Sequence, residues 1–293
     1  MKEYLSIDLN SVTQRERFSY MLTAIGPRPI AFASTIDKDG NVNLAPYSFF
    51  NAFSTNPPIV IFSPAVSARD GSQKHTYHNV KEIAEVVINI VNFPMVQQMS
   101  LASTAYAKGV NEFTKAGFTP IPSDIVAPPR VAESPVAFEC RVKEVIELGS
   151  EGGAGNLVIS EVLKIHIDKD YLNGDNALDT LTMDLVGRMG GNWYCRASGN
   201  ALFEVEKPLS TLGIGIDKLP EHIRNSTILT GNDLGQLGNM EALPTAEEIE
   251  AVKNELGDII QEDSENKTTS MHMLAKAYLE NGDTHTAVCL LMG

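Results

Sequence analysis

The 293-residue chain predicts a mainly β protein, an antiparallel barrel followed by a helical C-terminal extension. Two observations predict the barrel. Apolar segments with period-two alternation recur between turn-forming clusters through the first half of the chain. They are joined by hairpins rather than by strand–helix–strand units. A third observation predicts the extension: composition shifts near Pro208, beyond which residues 209–293 hold 14 acidic and 5 basic residues and helical periodicity takes over. The division is therefore a barrel over 1–208 and an acidic helical extension over 209–293.

The elements follow in order. Residues 28–36, RPIAFASTI, form a β-branched run that ends in Asp37-Lys38-Asp39-Gly40-Asn41, a hairpin turn centred on Asp-Gly. The chain returns through 42–53, is punctuated at Asn56-Pro57-Pro58, and enters a short buried strand at Ile59–Ser63. Short helices are expected at 76–84 and at 94–103, the second with Pro94 in its first turn. Strands are expected at 85–92 and 136–148, and the Gly-rich turn 151–156 returns the chain into 157–167 as a second long hairpin. In the extension, Thr245-Ala246-Glu247-Glu248 is a capping box. It opens a helix over 246–260 with Ile249, Val252, Leu256, Ile259 and Ile260 on one face. Another helix spans 269–280 and stops at Asn281-Gly282.

Composition removes several function classes. A chain of this length buries roughly three quarters of its unfolded surface, so it needs no disulfide or metal to fold. Hydrophobic residues make up 43% and charged residues 20%, which excludes general disorder and collagen-like repeats. A formal net charge of −14 disfavours partners with phosphate backbones or anionic lipid surfaces. Cys140, Cys195 and Cys289 lie far apart without CxxC spacing, so neither a disulfide framework nor zinc ligation is expected. The N-terminus lacks the apolar run of a signal peptide and no segment has about 18 apolar residues, so a cytoplasmic protein is expected. Gly213-Ile214-Gly215 has Lys218 where a third glycine would complete a dinucleotide-binding fingerprint, and no P-loop motif occurs.

The densest polar cluster runs from Ser67 to Asn79, between a strand and a helix. Arg69 can grip two oxygens in a fork, Lys74 acts as a point charge, and hydroxyls and backbone N–H groups at a helix N-terminus complete a phosphate cradle. The alternative is a solvated loop with Ser72 or Thr76 capping the helix. His75 and His78 can share a helix face but lack a third ligand, so no metal is expected. His166, His222, His272 and His285 are scattered, and no GxSxG or nucleophilic cysteine motif occurs. Chemistry in this chain would fall to a cofactor.

Residues 28–35 (RPIAFAST) and 39–50 (DGNVNLAPYSFF) resemble the opening of the flavin reductase-like, FMN-binding split-barrel family, in its flavoredoxin-like branch. The similarity continues in family order through Asn56-Pro57-Pro58, the 67–79 loop, Pro128–Pro135, Glu139-Cys140 and Gly187–Tyr194, over residues 20 to 200. The resemblance implies a Greek-key split barrel, a homodimer, and FMN held without a covalent link. By position, Ser34 and Thr35 would approach the flavin. Asn43, Leu44, Ala45, Pro46, Tyr47 and Ser48 would line its ring and offer backbone N–H groups. Arg69, Lys74 and Thr76 match phosphate-binding positions. His75 stands where many relatives have aspartate, and Tyr194 would close over the ring or ribityl chain. Tyr47, Phe49 and Phe50 also have a plain core reading. The implied activity passes electrons from NADH or NADPH through FMN to a flavin or protein acceptor. The alternatives are an electron carrier without a nicotinamide site, and a non-catalytic flavin-binding or scaffold protein.

Overall fold

Residues 2–256 and 267–293 are described by the computed structural model, and they fall into two compact units, Met1–Phe203 and Glu204–Gly293. The first unit begins with α1 (Gln14–Ala24), followed by β1 (Ala31–Ile36), β2 (Val42–Tyr47), β3 (Phe50–Thr55) and β4 (Pro58–Phe62). Then come α2 (His75–Glu82), β5 (Glu85–Ile90), α3 (Val96–Ala102), α4 (Glu112–Ala116), and the short strands β6 (Pro120–Ile121) and β7 (Arg130–Val131). The long strands β8 (Val136–Glu147) and β9 (Asn156–Ile167) form a hairpin, and β10 (Leu185–Arg188) pairs with β11 (Tyr194–Ala197).

Seven antiparallel strands make one sheet in the order β2-β1-β5-β8-β9-β4-β3. The order is of Greek-key type, because the late β8–β9 hairpin inserts between β5 and β4. It also forces curvature. Between Tyr47 at the end of β2 and Phe50 at the start of β3 there is at most about 11 Å of chain. A flat sheet of seven strands would hold its edges about 29 Å apart. The sheet therefore rolls until its edges approach, and among the described residues no pairing joins β2 to β3, so the barrel stays split.

Alternation along β1 assigns the two faces. Ala31 and Ala33 point into the barrel with Val60, Phe62, Val86, Ile88, Cys140, Val142 and Val158, and Val80 of α2 joins them. Ile30 and Phe32 point outward, where Leu44, Met95, Met99 and Phe113 cover them with α3 and α4. The Asp37–Asn41 turn closes as its sequence predicts. Asp37 Oδ1 accepts from the N–H groups of Asp39 and Asn41, and Gly40 takes the positive φ of 86° that the turn requires.

Some elements differ from the sequence reading. The segment 42–53 is two strands, broken at Ser48-Phe49 where the chain crosses between the sheet edges. The helix expected at 94–103 divides into a 3₁₀ turn at Phe93–Met95 and α3. Helix α1 has no buried residue, so no apolar periodicity announced it; the Thr13–Glu16 capping box was the signal available.

The second unit contains α5 (Glu221–Arg224), α6 (Gly231–Gly238), α7 (Ala246–Glu255), α8 (Lys267–Glu280) and α9 (Thr284–Met292). Thr245 and Glu248 cap α7 reciprocally. Val252 is buried and Ile249 and Leu256 pack beside it on this unit's own core, with Leu237, Leu279 and Leu290. The described part of that apolar stripe is thus consumed internally; Ile259 and Ile260 lie outside the described residues.

Candidate functional site

Edge strand β2 forms one side of the site, tied down from beneath by α2. Thr76, fully buried in the first turn of α2, accepts through Oγ1 from Asn43 Nδ2 and from the Tyr47 hydroxyl, both at 2.8 Å. Asn79, one turn further on, donates to Thr35 Oγ1 at 3.1 Å. Burial pushes the Tyr47 phenol far above its ordinary range, so it remains a neutral donor.

The loop between β4 and α2 forms a second side. Ser67 N–H donates to the Ser72 carbonyl and Gly71 N–H to the Ser67 carbonyl, both at 2.9 Å, and Gly71 supplies the positive φ this tight path needs. Asp70 accepts from the Ser72 N–H and hydroxyl, and bonds from Ser72 and Ser67 hold its carboxyl well below the usual carboxylate range. Arg69 lies 3.6 Å from Asp70 with most of its side chain in solvent. Lys74 occupies the N-cap of α2, and among the described residues no side chain caps that helix. Ser72 bonds to Asp70 instead, and Thr76 Oγ1 accepts from Asn43 and Tyr47, so among the described residues neither caps the helix. An uncapped helix start with two cations and a histidine beside it can hold a phosphate monoester.

These two sides and a third, residues 102–106 with Glu112 at the start of α4, enclose a cleft of about 290 Å³. Of the sequence-derived candidates, Asn43, Ala45, Pro46, Tyr47, Arg69, Lys74 and His75 line it. Thr35 and Thr76 lie buried in the polar cluster formed with Asn43, Tyr47 and Asn79. Leu44 is in the outer core and its N–H donates to Glu112 Oε2 at 3.0 Å, so that group is already engaged. Ser34 is fully buried with its hydroxyl unpartnered among the described residues. Ser48 accepts from Arg28 Nε at 3.4 Å. Tyr194 is not among the cleft-lining residues; it packs on the outer core with the Arg188 guanidinium 4.7 Å from its ring centre.

The third side of the cleft, residues 102–106 with Glu112, was not found from sequence, nor was the role of Arg28 beside the site. Glu112 is buried through tertiary contact, and a Glu after an Asn cap reads only as a favourable helix start. Arg28 sits almost wholly buried, donating to the carbonyls of Leu22, Ile25 and Met189 and thereby fastening α1 and the Arg188 segment beside Ser48. Burial lowers its pKa, and the charge of Arg188 adds to that.

Away from the cleft, Asp124, Glu139 and His166 bring potential metal-ligand atoms within 4.8 Å of one another. Glu139, fully buried, already accepts the N–H groups of Asp124, Ile125 and Val126 and meets His166 Nε2 at 2.5 Å. Lys164 pairs with Asp124. The carboxylate's lone pairs are spent on anchoring the 124–126 segment to β8 and β9, which is a structural arrangement.

Comparison with known proteins agrees with this fold. A family model described as a flavin reductase like domain matches residues 24–182, a span that includes every cleft-lining residue. An uncharacterized protein of Halalkalibacterium halodurans is 34% identical over 192 residues, covering 65% of this chain and 91% of that protein. Nitrilotriacetate monooxygenase component B from Bacillus cereus superposes with a TM-score of 0.65 at 28% identity, covering 70% of this chain and 100% of that one. A split-barrel-domain protein from Shewanella frigidimarina gives 0.57 at 25% identity, covering 68% of this chain and 95% of that one. With a split-barrel fold and a family model that matches more than half of its length, the chain belongs to the flavin reductase-like family, and its function is flavin-related redox chemistry.

Proposed function

We propose that this protein is an FMN-binding oxidoreductase in which NADH or NADPH reduces the flavin and the reduced flavin passes electrons to a flavin or protein acceptor. The observation that carries this reading is the composition of one cleft: the Ser67–His75 loop and the uncapped start of α2 on one side, the face of β2 on another. Arg69, Lys74 and His75 would hold the phosphate, and Asn43, Ala45, Pro46 and Tyr47 would lie along the ring. The compact cationic loop favours a monophosphate over a dinucleotide. Bound FMN would supply the hydride and electron chemistry; the chain's own residues bind it, orient it and exclude water from it. The Bacillus cereus neighbour is one component of a monooxygenase, which supports an acceptor on a separate protein. We read the working form as a cytoplasmic homodimer.

The test is spectroscopic. The purified protein should be yellow, release FMN on heating, and bleach anaerobically with NADH or NADPH; release of FAD instead would overturn the cofactor assignment. Bleaching only by a reduced protein would make it an electron carrier, and failure to take up FMN would leave a scaffold.

A further inference from the structure

Resting on the reading of the cleft as a flavin site, we propose that Glu112 sets the charge balance of the cleft and makes it bind oxidised flavin in preference to reduced, anionic flavin. Glu112 opens α4 directly after Asn111, whose side chain accepts from the Phe113 N–H. Only 4% of Glu112 is exposed, yet it is one of the residues lining the cleft. Its Oε2 takes the Leu44 N–H at 3.0 Å, placing the carboxyl against the strand along which the ring is proposed to lie. Among the described residues it has no ion-pair partner, whereas Asp70, the other acid of the cleft, has Arg69. Its charge is felt within the site, for it helps to raise the Tyr47 phenol.

A buried carboxylate without a counter-ion is costly, and holding an N–H group does not require it, because a glutamine carbonyl would do the same. What the charge adds is a field. Oxidised flavin that takes up two electrons and one proton gains one negative charge on its ring; a second proton would cancel it. A neighbouring carboxylate opposes the first outcome in a poorly solvated cleft, so the reduced anion binds less tightly and the flavin is harder to reduce. Burial pushes the Glu112 carboxyl up from its ordinary value, and protonating it should remove the effect.

The experiment compares the dissociation constants of oxidised FMN and of dithionite-reduced FMN for the full chain and for Glu112→Gln, at pH 8 and at pH 5. The other titratable groups lining the cleft are Tyr47, Arg69, Asp70, Lys74, His75 and Tyr106, with Lys115 on the helix of Glu112; all are common to both proteins and cancel in the comparison. At pH 8 the glutamine variant should lower the ratio of reduced to oxidised dissociation constants by about tenfold, which is about 30 mV for a two-electron couple. At pH 5 the difference should shrink. Glu112→Asp, which keeps the charge, should retain the parent ratio. An unchanged ratio in Glu112→Gln, or the same change in Glu112→Asp, overturns the proposal in favour of a purely structural tie to Leu44. Should the glutamine variant not fold, Glu112→Asn, which also removes the charge and keeps an acceptor, must lower the ratio at pH 8 in the same way, and an unchanged ratio overturns the proposal. A parent that binds no FMN refutes the flavin-site reading itself, which is a distinct result.

Discussion

Arg69 illustrates how much of the site a sequence can reveal. A basic island in a chain of net charge −14 was visible before any fold was known, and so was its place ahead of a helix. Its competitor was less plain, since Asp70 is a neighbour in sequence but becomes an ion-pair partner only in the folded loop. Charge-assisted bonds of about 1.5–3 kcal/mol each suggest a 10²–10⁴-fold weakening of FMN binding in Arg69→Ala/Lys74→Ala. Because Arg69 is exposed and partnered, we expect the lower end, about a hundredfold, with riboflavin affinity unchanged; titration by flavin fluorescence measures both. Thr76 was legible as a position matching a phosphate ligand or as a helix cap. In the fold its oxygen accepts two buried donors, leaving only its hydroxyl proton to give. Thr76→Val orphans both donors and should cost about 2–4 kcal/mol in urea unfolding, while Thr76→Ser should recover most of it.

Among the elements, the strands were readable because they alternate. β1, β5 and the β8–β9 hairpin fall within a few residues of where their apolar periods and turns place them. The break between β2 and β3 was not, because Ser48-Phe49 carries no turn signal and the crossing is imposed by sheet closure. Nor was the anchoring role of Glu139, which depends on the 124–126 segment folding back over β8. Burial acts to raise its carboxyl, but the N–H groups of Asp124, Ile125 and Val126 together with His166 outweigh it and bring the pKa below the usual 4.5. A depressed carboxyl contributes stability that is present above its unfolded value and lost as pH falls through the folded one. Urea midpoints should therefore drop on acidification below about pH 4.5, and Glu139→Gln should flatten that acid limb while lowering stability at neutral pH.

Across the whole molecule, each unit has its own apolar core. Every residue lining the cleft lies before Phe203. A chain ending at Phe203 should fold and bind FMN with the affinity of the full chain, as circular dichroism and flavin titration would show; loss of binding would mean the acidic unit contributes to the site. Light scattering should return twice the chain mass of 31.8 kDa. Phe18 at 55%, Ile25 at 57% and Trp193 at 78% exposure leave apolar surface on the first unit for a second copy to cover.

The strand order also dictates a sequence of events during synthesis. Strands β2, β1 and β5 can pair as soon as they leave the ribosome, and so can β3 with β4, but the two groups have no edge in common. Among the described residues only the β8–β9 hairpin pairs with both, and it arrives after them. The cleft takes β2 from one group and the loop after β4 from the other. A nascent chain arrested before Val136 thus exposes the bare edges of β5 and β4 to chaperones and to its neighbours, and its cleft is incomplete. The hairpin acts as a keystone, and the two sides of the cleft are expected to come together only once it has emerged.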